Sequence, residues 1–237
     1  MGKGKLFKFA ENETFSCLLQ PDSDSVLRSD DPIKGNWNRD MFVGRLGGTE
    51  APITVELGCG KGEYTIDLAT RVPGSNYIGV DIKGARLWRG AKTATQAQAR
   101  NIAFLRTRIE FINSLFAPGE IDEIWVTFCD PQPKKPNKRL TSPVFLEKYR
   151  RFLKPGGTVH LKTDSQDLHA YTLDVVREQG LQLLFATDDL YSCRDSEGRP
   201  TSDYLAAHPE LFEVQTHYEK IFLAQGLPIT YLAFKLV

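Results

Sequence analysis

The sequence predicts an α/β domain built on a mostly parallel sheet with helices on both faces, and three observations carry that prediction. First, an apolar run from Ile53 to Leu57 leads into Gly58, Gly60 and Gly62, then into an amphipathic stretch containing Tyr64, Ile66, Leu68 and Ala69. A second apolar run, Tyr77 to Val80, follows and ends in Asp81. That order reads as strand, tight turn, helix and strand, with a carboxylate at the second strand's end. Second, apolar runs of strand length go on alternating with helical stretches beyond Pro52, the mark of parallel βαβ units. Third, the chain has 237 residues, 41% of them hydrophobic, and shows no internal repeat, which fits one domain with a sizeable core.

The expected elements run as follows. Residues 1–50 lack sustained periodicity and are rich in Asp, Ser, Gly and Lys, so they read as an N-terminal arm, irregular or with short helices. Residues 51–237 form the domain proper. Strands are expected at Ile53–Leu57, Asn76–Val80, Ile102–Leu105, Glu123–Phe128, Thr158–Lys162, Gln182–Thr187 and Ile229–Leu236. The helices between them are expected at Glu63–Arg71, Gly84–Ala99, Ile109–Leu115, Pro143–Phe152, Gln166–Glu178 and Tyr218–Gln225. Between Tyr191 and Glu213, Ser, Asp, Gly and Pro cluster as in a functional loop.

Composition narrows the function classes. Thirty lysines and arginines balance thirty aspartates and glutamates, so a nucleic-acid partner would require a local positive patch. Cys17, Cys59, Cys129 and Cys193 lie far apart, with neither a C-x-x-C pair nor a matching histidine spacing. They read as reduced thiols, not as a disulfide frame or metal site. His160, His169, His208 and His217 show no paired ligand spacing either, so no metal is expected. With no apolar run of membrane-spanning length and no signal-peptide pattern, the expected setting is the cytoplasm. Gly2 does not open a myristoylation signal, because Leu6 stands where Ser or Thr is required. The oligomeric state is open, with a monomer favoured.

The glycines point to a nucleoside ligand. They let a ligand approach the backbone, and Asp81 can accept from both ribose hydroxyls. A pyrophosphate fingerprint needs G-x-G-x-x-G, but here the third glycine arrives one residue early and Glu63 holds its place. This disfavours a nicotinamide-dependent dehydrogenase. Gly58-x-Gly60-x-Gly62, with Glu56 before it and Asp81 after it, resembles the first motif of S-adenosylmethionine-dependent methyltransferases. A purely structural turn is the alternative.

The strand ending at Phe128 runs into Cys129-Asp130-Pro131-Gln132-Pro133-Lys134-Lys135-Pro136-Asn137-Lys138-Arg139-Leu140. Prolines stiffen this loop and cations load it, as suits a polyanion whose phosphates are held in register. Taken alone, it also reads as a solvated basic loop. The wider pattern resembles the bacterial tRNA (guanine-N7-)-methyltransferases. Phe128-Cys-Asp-Pro131, Lys134-Lys135 and Lys138-Arg139-Leu140 match that family's strand-end motif and basic run. Phe145-Leu146-Glu147, Leu153-Lys154-Pro155-Gly156-Gly157, His160-Leu161-Lys162-Thr163-Asp164, Thr216-His217-Tyr218-Glu219 and Gly226-Leu227-Pro228-Ile229 continue the match. The resemblance implies a Rossmann-like methyltransferase fold, with a seven-stranded sheet, an antiparallel C-terminal strand and S-adenosylmethionine as cofactor. It also implies methyl transfer to N7 of a tRNA guanine, that of the variable loop.

Carried over position by position, the resemblance makes Glu56, Gly58, Gly60, Gly62, Asp81 and Arg108 the cofactor site and Asp130 the catalytic carboxylate. Lys134, Asp164, Thr216 and Glu219 become substrate contacts, with Lys135, Lys138 and Arg139 at tRNA phosphates. Lys3, Lys5 and Lys8 offer a second anchor or a free basic tail. Local readings stand beside these: Asp164 as a helix N-cap, and Thr216 with Glu219 as a capping box. The chain departs from the family pattern at three positions. Cys129 replaces a proline, Gln132 a tryptophan, and Arg108 the usual acidic adenine contact, for which Glu110 or backbone groups are the substitutes. These departures keep two alternatives in play: a same-fold methyltransferase with a non-tRNA acceptor, and a non-catalytic RNA-binding relative.

Overall fold

The computed structural model describes residues 3–236. Gly2 lies outside the described residues, as does the side chain of Lys3. In chain order the main elements are α1 (Lys3–Asn12), β1 (Leu18–Leu19), α2 (Ser23–Arg28), a π-helix (Trp37–Arg45), β2 (Ile53–Leu57), α3 (Glu63–Arg71), β3 (Asn76–Asp81), α4 (Gly84–Gln96) and β4 (Ile102–Arg106). A 3₁₀ helix (Ile109–Ser114), β5 (Ile121–Thr127), a 3₁₀ turn (Pro136–Lys138), α5 (Pro143–Tyr149), β6 (Leu153–Thr163) and α6 (Gln166–Glu178) follow. The chain closes with β7 (Gln182–Thr187), α7 (Asp203–Ala206), α8 (Glu210–Glu213), α9 (His217–Ala224) and β8 (Thr230–Lys235).

These strands form one sheet in the order β1-β4-β3-β2-β5-β6-β8-β7. Every pairing from β1 to β6 is parallel, and β8 lies antiparallel between β6 and β7. Seven of the eight strands are those expected; the eighth is Leu18–Leu19 from the N-terminal segment, which pairs with Phe104 and Leu105. Chain direction across the sheet reverses at β2, whose neighbours are β3 and β5. A crevice therefore opens beyond the carboxyl ends of those three strands, where such sheets bind ligands.

Two apolar cores cover the two faces. One holds Val55, Ile78 and Val126 against Ile112, Phe145, Tyr149, Leu168 and Val176. The other holds Phe104 and Trp125 against Tyr64, Leu68, Leu87, Ala91, Leu190, Leu205 of α7 and Leu211 of α8.

The first fifty residues are more built than their sequence suggests. Trp37, Met41 and Phe42 are buried in the first core, and the Trp37 indole donates to Leu115 O at 2.9 Å. Each fully buried large apolar side chain is worth about 1.5–3 kcal/mol, so this turn holds the segment firmly. A π-helix explains why no period shows, since i→i+5 bonding brings positions 37, 41 and 42 together instead of a regular i, i+3, i+4 stripe. Residues 109–114 likewise take 3₁₀ rather than α geometry. Among the described residues no helix is long and apolar enough to cross a membrane.

Candidate active site

The turn after β2 is shaped by its glycines. Gly58, Gly60 and Gly62 have φ of 79°, 59° and 73°, a region where side chains are strained. A Cβ on Gly62 would also stand 2.4 Å from the Phe104 ring, so this glycine permits helix packing and does not line the crevice. The amides of Gly58 and Cys59 both donate to Val80 O, at 2.8 and 3.0 Å, which locks the turn to the end of β3. Asp81 completes the lock. Its two carboxylate oxygens accept from Gly60 N at 3.0 Å and Lys83 N at 2.7 Å. Each oxygen keeps a lone pair for a ligand hydroxyl.

Glu56 sits beneath this turn. It is buried, and the hydroxyls of Thr65 and Thr127 donate one to each of its oxygens. Burial raises its carboxyl above the ordinary range, against the pull of those two hydrogen bonds. It braces α3 to β5 and touches a smaller cavity of about 100 Å³ together with Gly60, Lys61, Thr216 and Tyr218.

The main cleft has a volume of about 580 Å³. Gly58, Asp81, Arg108 and Asp130 line it, with Lys135 and Lys138 at its mouth. Its apolar wall is made by Ile82, Ile109, Leu140, Val144 and Phe145, a surface suited to a flat heterocycle. Arg108 stands at the rim, 3.6 Å from Glu110, and Glu110 lines the cleft as well. A carboxylate therefore lines this part of the cleft from position 110.

On the other side of β2, Phe128 leaves β5 with φ of 45°, an uncommon angle for a non-glycine residue, and Gln132 repeats it at 47°. This bend swings Asp130 out to solvent, with its Oδ1 accepting from Gln132 N at 3.0 Å. The Cys129 thiol is pushed up to about 12, by burial first and then by the charges of Asp130 and Asp164. Lys134, Lys135 and Lys138 are exposed, and none pairs with a carboxylate among the described residues. Lys134 does not line the cleft. Arg139 differs from its neighbours: it is buried, its Nε donates to Pro131 O at 3.1 Å, and its guanidinium lies 4.3 Å over the Tyr171 ring. It rivets the loop to α6.

Comparison with known proteins gives the family. Residues 50–229 match the family model described as "Putative methyltransferase". The chain is 44% identical to the tRNA (guanine-N(7)-)-methyltransferase of Christiangramia forsetii, over 99% of this chain and 98% of that one. It is also 44% identical to the protein of that name from Bacteroides thetaiotaomicron, over 100% of this chain and 87% of that one. The chain belongs to the tRNA (guanine-N(7)-)-methyltransferase family. In fold it resembles a SAM-dependent methyltransferase from Aquifex aeolicus, with a TM-score of 0.52 at 13% identity over 92% of this chain and 100% of that one.

The remaining positions carried over from the family fall into two groups. Asp164 is half-buried at the end of β6, and Ser165, not Asp164, caps α6 by accepting from Leu168 N at 3.2 Å. The Asp164 carboxylate has no hydrogen-bond partner among the described residues. Thr216 and Glu219 do form the capping box of α9: Thr216 Oγ1 accepts from Glu219 N at 3.1 Å, and Glu219 Oε2 accepts from Thr216 N at 3.3 Å. Glu219 itself is sealed inside.

That seal depends on a residue the sequence reading did not single out. Lys162 and Glu219 are both 0% exposed and pair at 2.7 Å. The ammonium also donates to Leu211 O and Val214 O, and Tyr191 OH donates to Glu219 Oε1. Burial lowers the Lys162 pKa, against the pull of Glu219. A lysine inside an apolar central strand is the signal that could have found it, because such a lysine needs a carboxylate.

Proposed function

We propose that this protein transfers a methyl group from S-adenosylmethionine to N7 of a guanine in tRNA, that of the variable loop, giving 7-methylguanosine in the cytoplasm. The observation that carries the reading is the placement of Asp81 and Asp130 at the ends of the two strands flanking β2, facing one cleft with unpaired lysines at its mouth. The residues fit the cofactor. The Gly58 backbone permits close approach, Asp81 has acceptor capacity for ribose hydroxyls, and the wall of Ile82, Ile109 and Val144 suits adenine. Arg108 and Glu110 line the same cleft, and these are the groups assigned to the adenine edge. When bound, S-adenosylmethionine supplies an electrophilic methyl group on a sulfonium.

The chain's own part is alignment and charge. Guanine N7 has a free lone pair, so no proton need leave before attack and a general base is not required. Asp130 orients the guanine by accepting from its N–H edge, and its negative charge stabilises the cation that the ring becomes. Lys134, Lys135 and Lys138 hold phosphates, and Asp164, beside Cys129, supplies a second acceptor at the same strand ends. Glu56 acts from below by fixing α3 against β5, and Glu219 by seating α9.

The test uses two unmodified tRNAs that differ only in the variable-loop guanine. Label from S-adenosylmethionine should enter the guanine-bearing tRNA and not its adenine-substituted counterpart. Equal labelling of both would reject the position, and cofactor binding without labelling of either would reject tRNA as acceptor.

A further inference from the structure

Three aromatic rings beside the cleft serve neither core. Phe128, at the end of β5, stacks on Phe222 of α9 with centroids 6.2 Å apart and planes 30° apart. Phe222 in turn stacks on Tyr218, at 6.5 Å and 24°. None of the three packs into the apolar cluster of either sheet face. Tyr218, the outermost, is 56% exposed.

Helix α9 buries only one of its eight residues, Glu219. The Lys162–Glu219 pair anchors it, and its aromatic side is left facing outward. Pinning the helix accounts for Phe222 against Phe128 but does not account for Tyr218, whose outer face meets solvent. The ladder also has a particular position. Phe128 is a wall shared by the main cleft, which holds Asp130, and the smaller cavity, which Thr216 and Tyr218 close. Lys61 and Arg86 line that smaller cavity, and neither has a carboxylate partner among the described residues. The basic loop contributes no ring of its own between Phe128 and Leu140, Gln132 being polar.

A stepped aromatic stack with an open outer face and unpaired cations on both sides matches one ligand chemistry. An unstacked nucleobase fills the flat face, and its phosphates meet the cations. We infer that Tyr218, backed by Phe222 and Phe128, is a stacking site for an unpaired nucleobase of the RNA substrate, holding the strand so that the target guanine enters the cleft at Asp130. This inference rests on the proposed reaction. It makes Tyr218 a positioning residue, because the contact lies outside the reacting atoms.

The experiment compares Tyr218→Ala and Tyr218→Trp with the unaltered protein. Tyr218 is exposed, so both variants should keep the thermal midpoint and bind S-adenosylmethionine within about two-fold of the original. Stacking of one base is typically worth enough that its loss should raise KM for unmodified tRNA about 5- to 150-fold in Tyr218→Ala. Tyr218→Trp should restore KM. After subtraction of the signal from the other tryptophans, its indole emission should be quenched by tRNA and not by heparin, a polyanion without bases. An unchanged KM in Tyr218→Ala, or an indole that tRNA leaves unquenched, overturns the stacking site. Should the unaltered protein transfer no methyl group to tRNA, the quench still decides: base-specific quenching retains the site while the reaction falls, and equal response to heparin removes it.

Discussion

The two halves of the cleft are built to different standards. On the β3 side, Asp81 is buried with both oxygens engaged by backbone amides, and two further amides tie the glycine turn to Val80. On the β5 side, Asp130 is exposed with one local hydrogen bond, three lysines have no carboxylate partners among the described residues, and α9 buries a single side chain. The first half is complete before any ligand arrives. In the proposed reaction a large polyanion completes the second, and its phosphates meet no competing carboxylate at those lysines. A small rigid ligand rewards preorganisation, whereas an RNA surface needs exposed charge and room to dock.

Breaking the anchor of the open half should have the largest effect. Lys162→Met leaves Glu219 buried without its cation and should cost about 3–5 kcal/mol in urea unfolding. Adding Glu219→Gln should recover part of that loss, and a cost below about 1 kcal/mol would mean that α9 is held by something else. Next comes chemistry: Asp130→Ala should lower kcat about 100- to 1,000-fold while cofactor affinity stays unchanged. Asp81→Ala should do the opposite, raising the cofactor Kd about 10- to 100-fold and leaving the salt dependence of tRNA binding as it was. If both variants moved both constants, the division into halves would fail.

A finer contrast lies within the basic loop. Replacing Lys134, Lys135 or Lys138 by alanine should each shallow the slope of log affinity against log salt by about 0.7–0.9. Arg139→Ala should leave the slope alone and lower stability instead, since its guanidinium is spent on Pro131 and Tyr171. The smallest effect concerns pH. The hydrogen bond that His208 Nδ1 donates to the Glu210 carboxylate, against the opposing effect of burial, raises His208 above the ordinary histidine value. Its stabilising contribution is therefore full below the unfolded pKa of about 6.5 and is lost as pH rises through the higher folded value. Glu210→Gln should flatten that decline in thermal midpoint, and an unaltered decline would assign it to another group.

The closed half was the more legible of the two in sequence. Its signals are short-range: glycines at alternate positions demand positive φ, and an apolar run ending in Asp81 puts a carboxylate at a strand end. Ile53–Leu57, Glu63–Arg71, Gln166–Glu178 and Gln182–Thr187 form where periodicity places them. The capping box of Thr216 and Glu219 was legible for the same reason. Tertiary partners were not. Nothing local says that Glu56 is shared by Thr65 and Thr127, that Lys162 meets Glu219, or that Ser165 takes the cap beside Asp164. Arg139 reads as one more loop cation until Tyr171 is seen beneath it. Trp37, Met41 and Phe42 belong to a π-helix whose spacing a 3.6-residue template misses.

The proposed methyl transfer to guanine N7 needs both halves at once. It is tested most directly by incubating the protein with unmodified tRNA and radiolabelled S-adenosylmethionine, digesting the RNA and separating the nucleosides. The label is expected in 7-methylguanosine. Label in any other nucleoside, or none when calorimetry shows the cofactor bound, would contradict it.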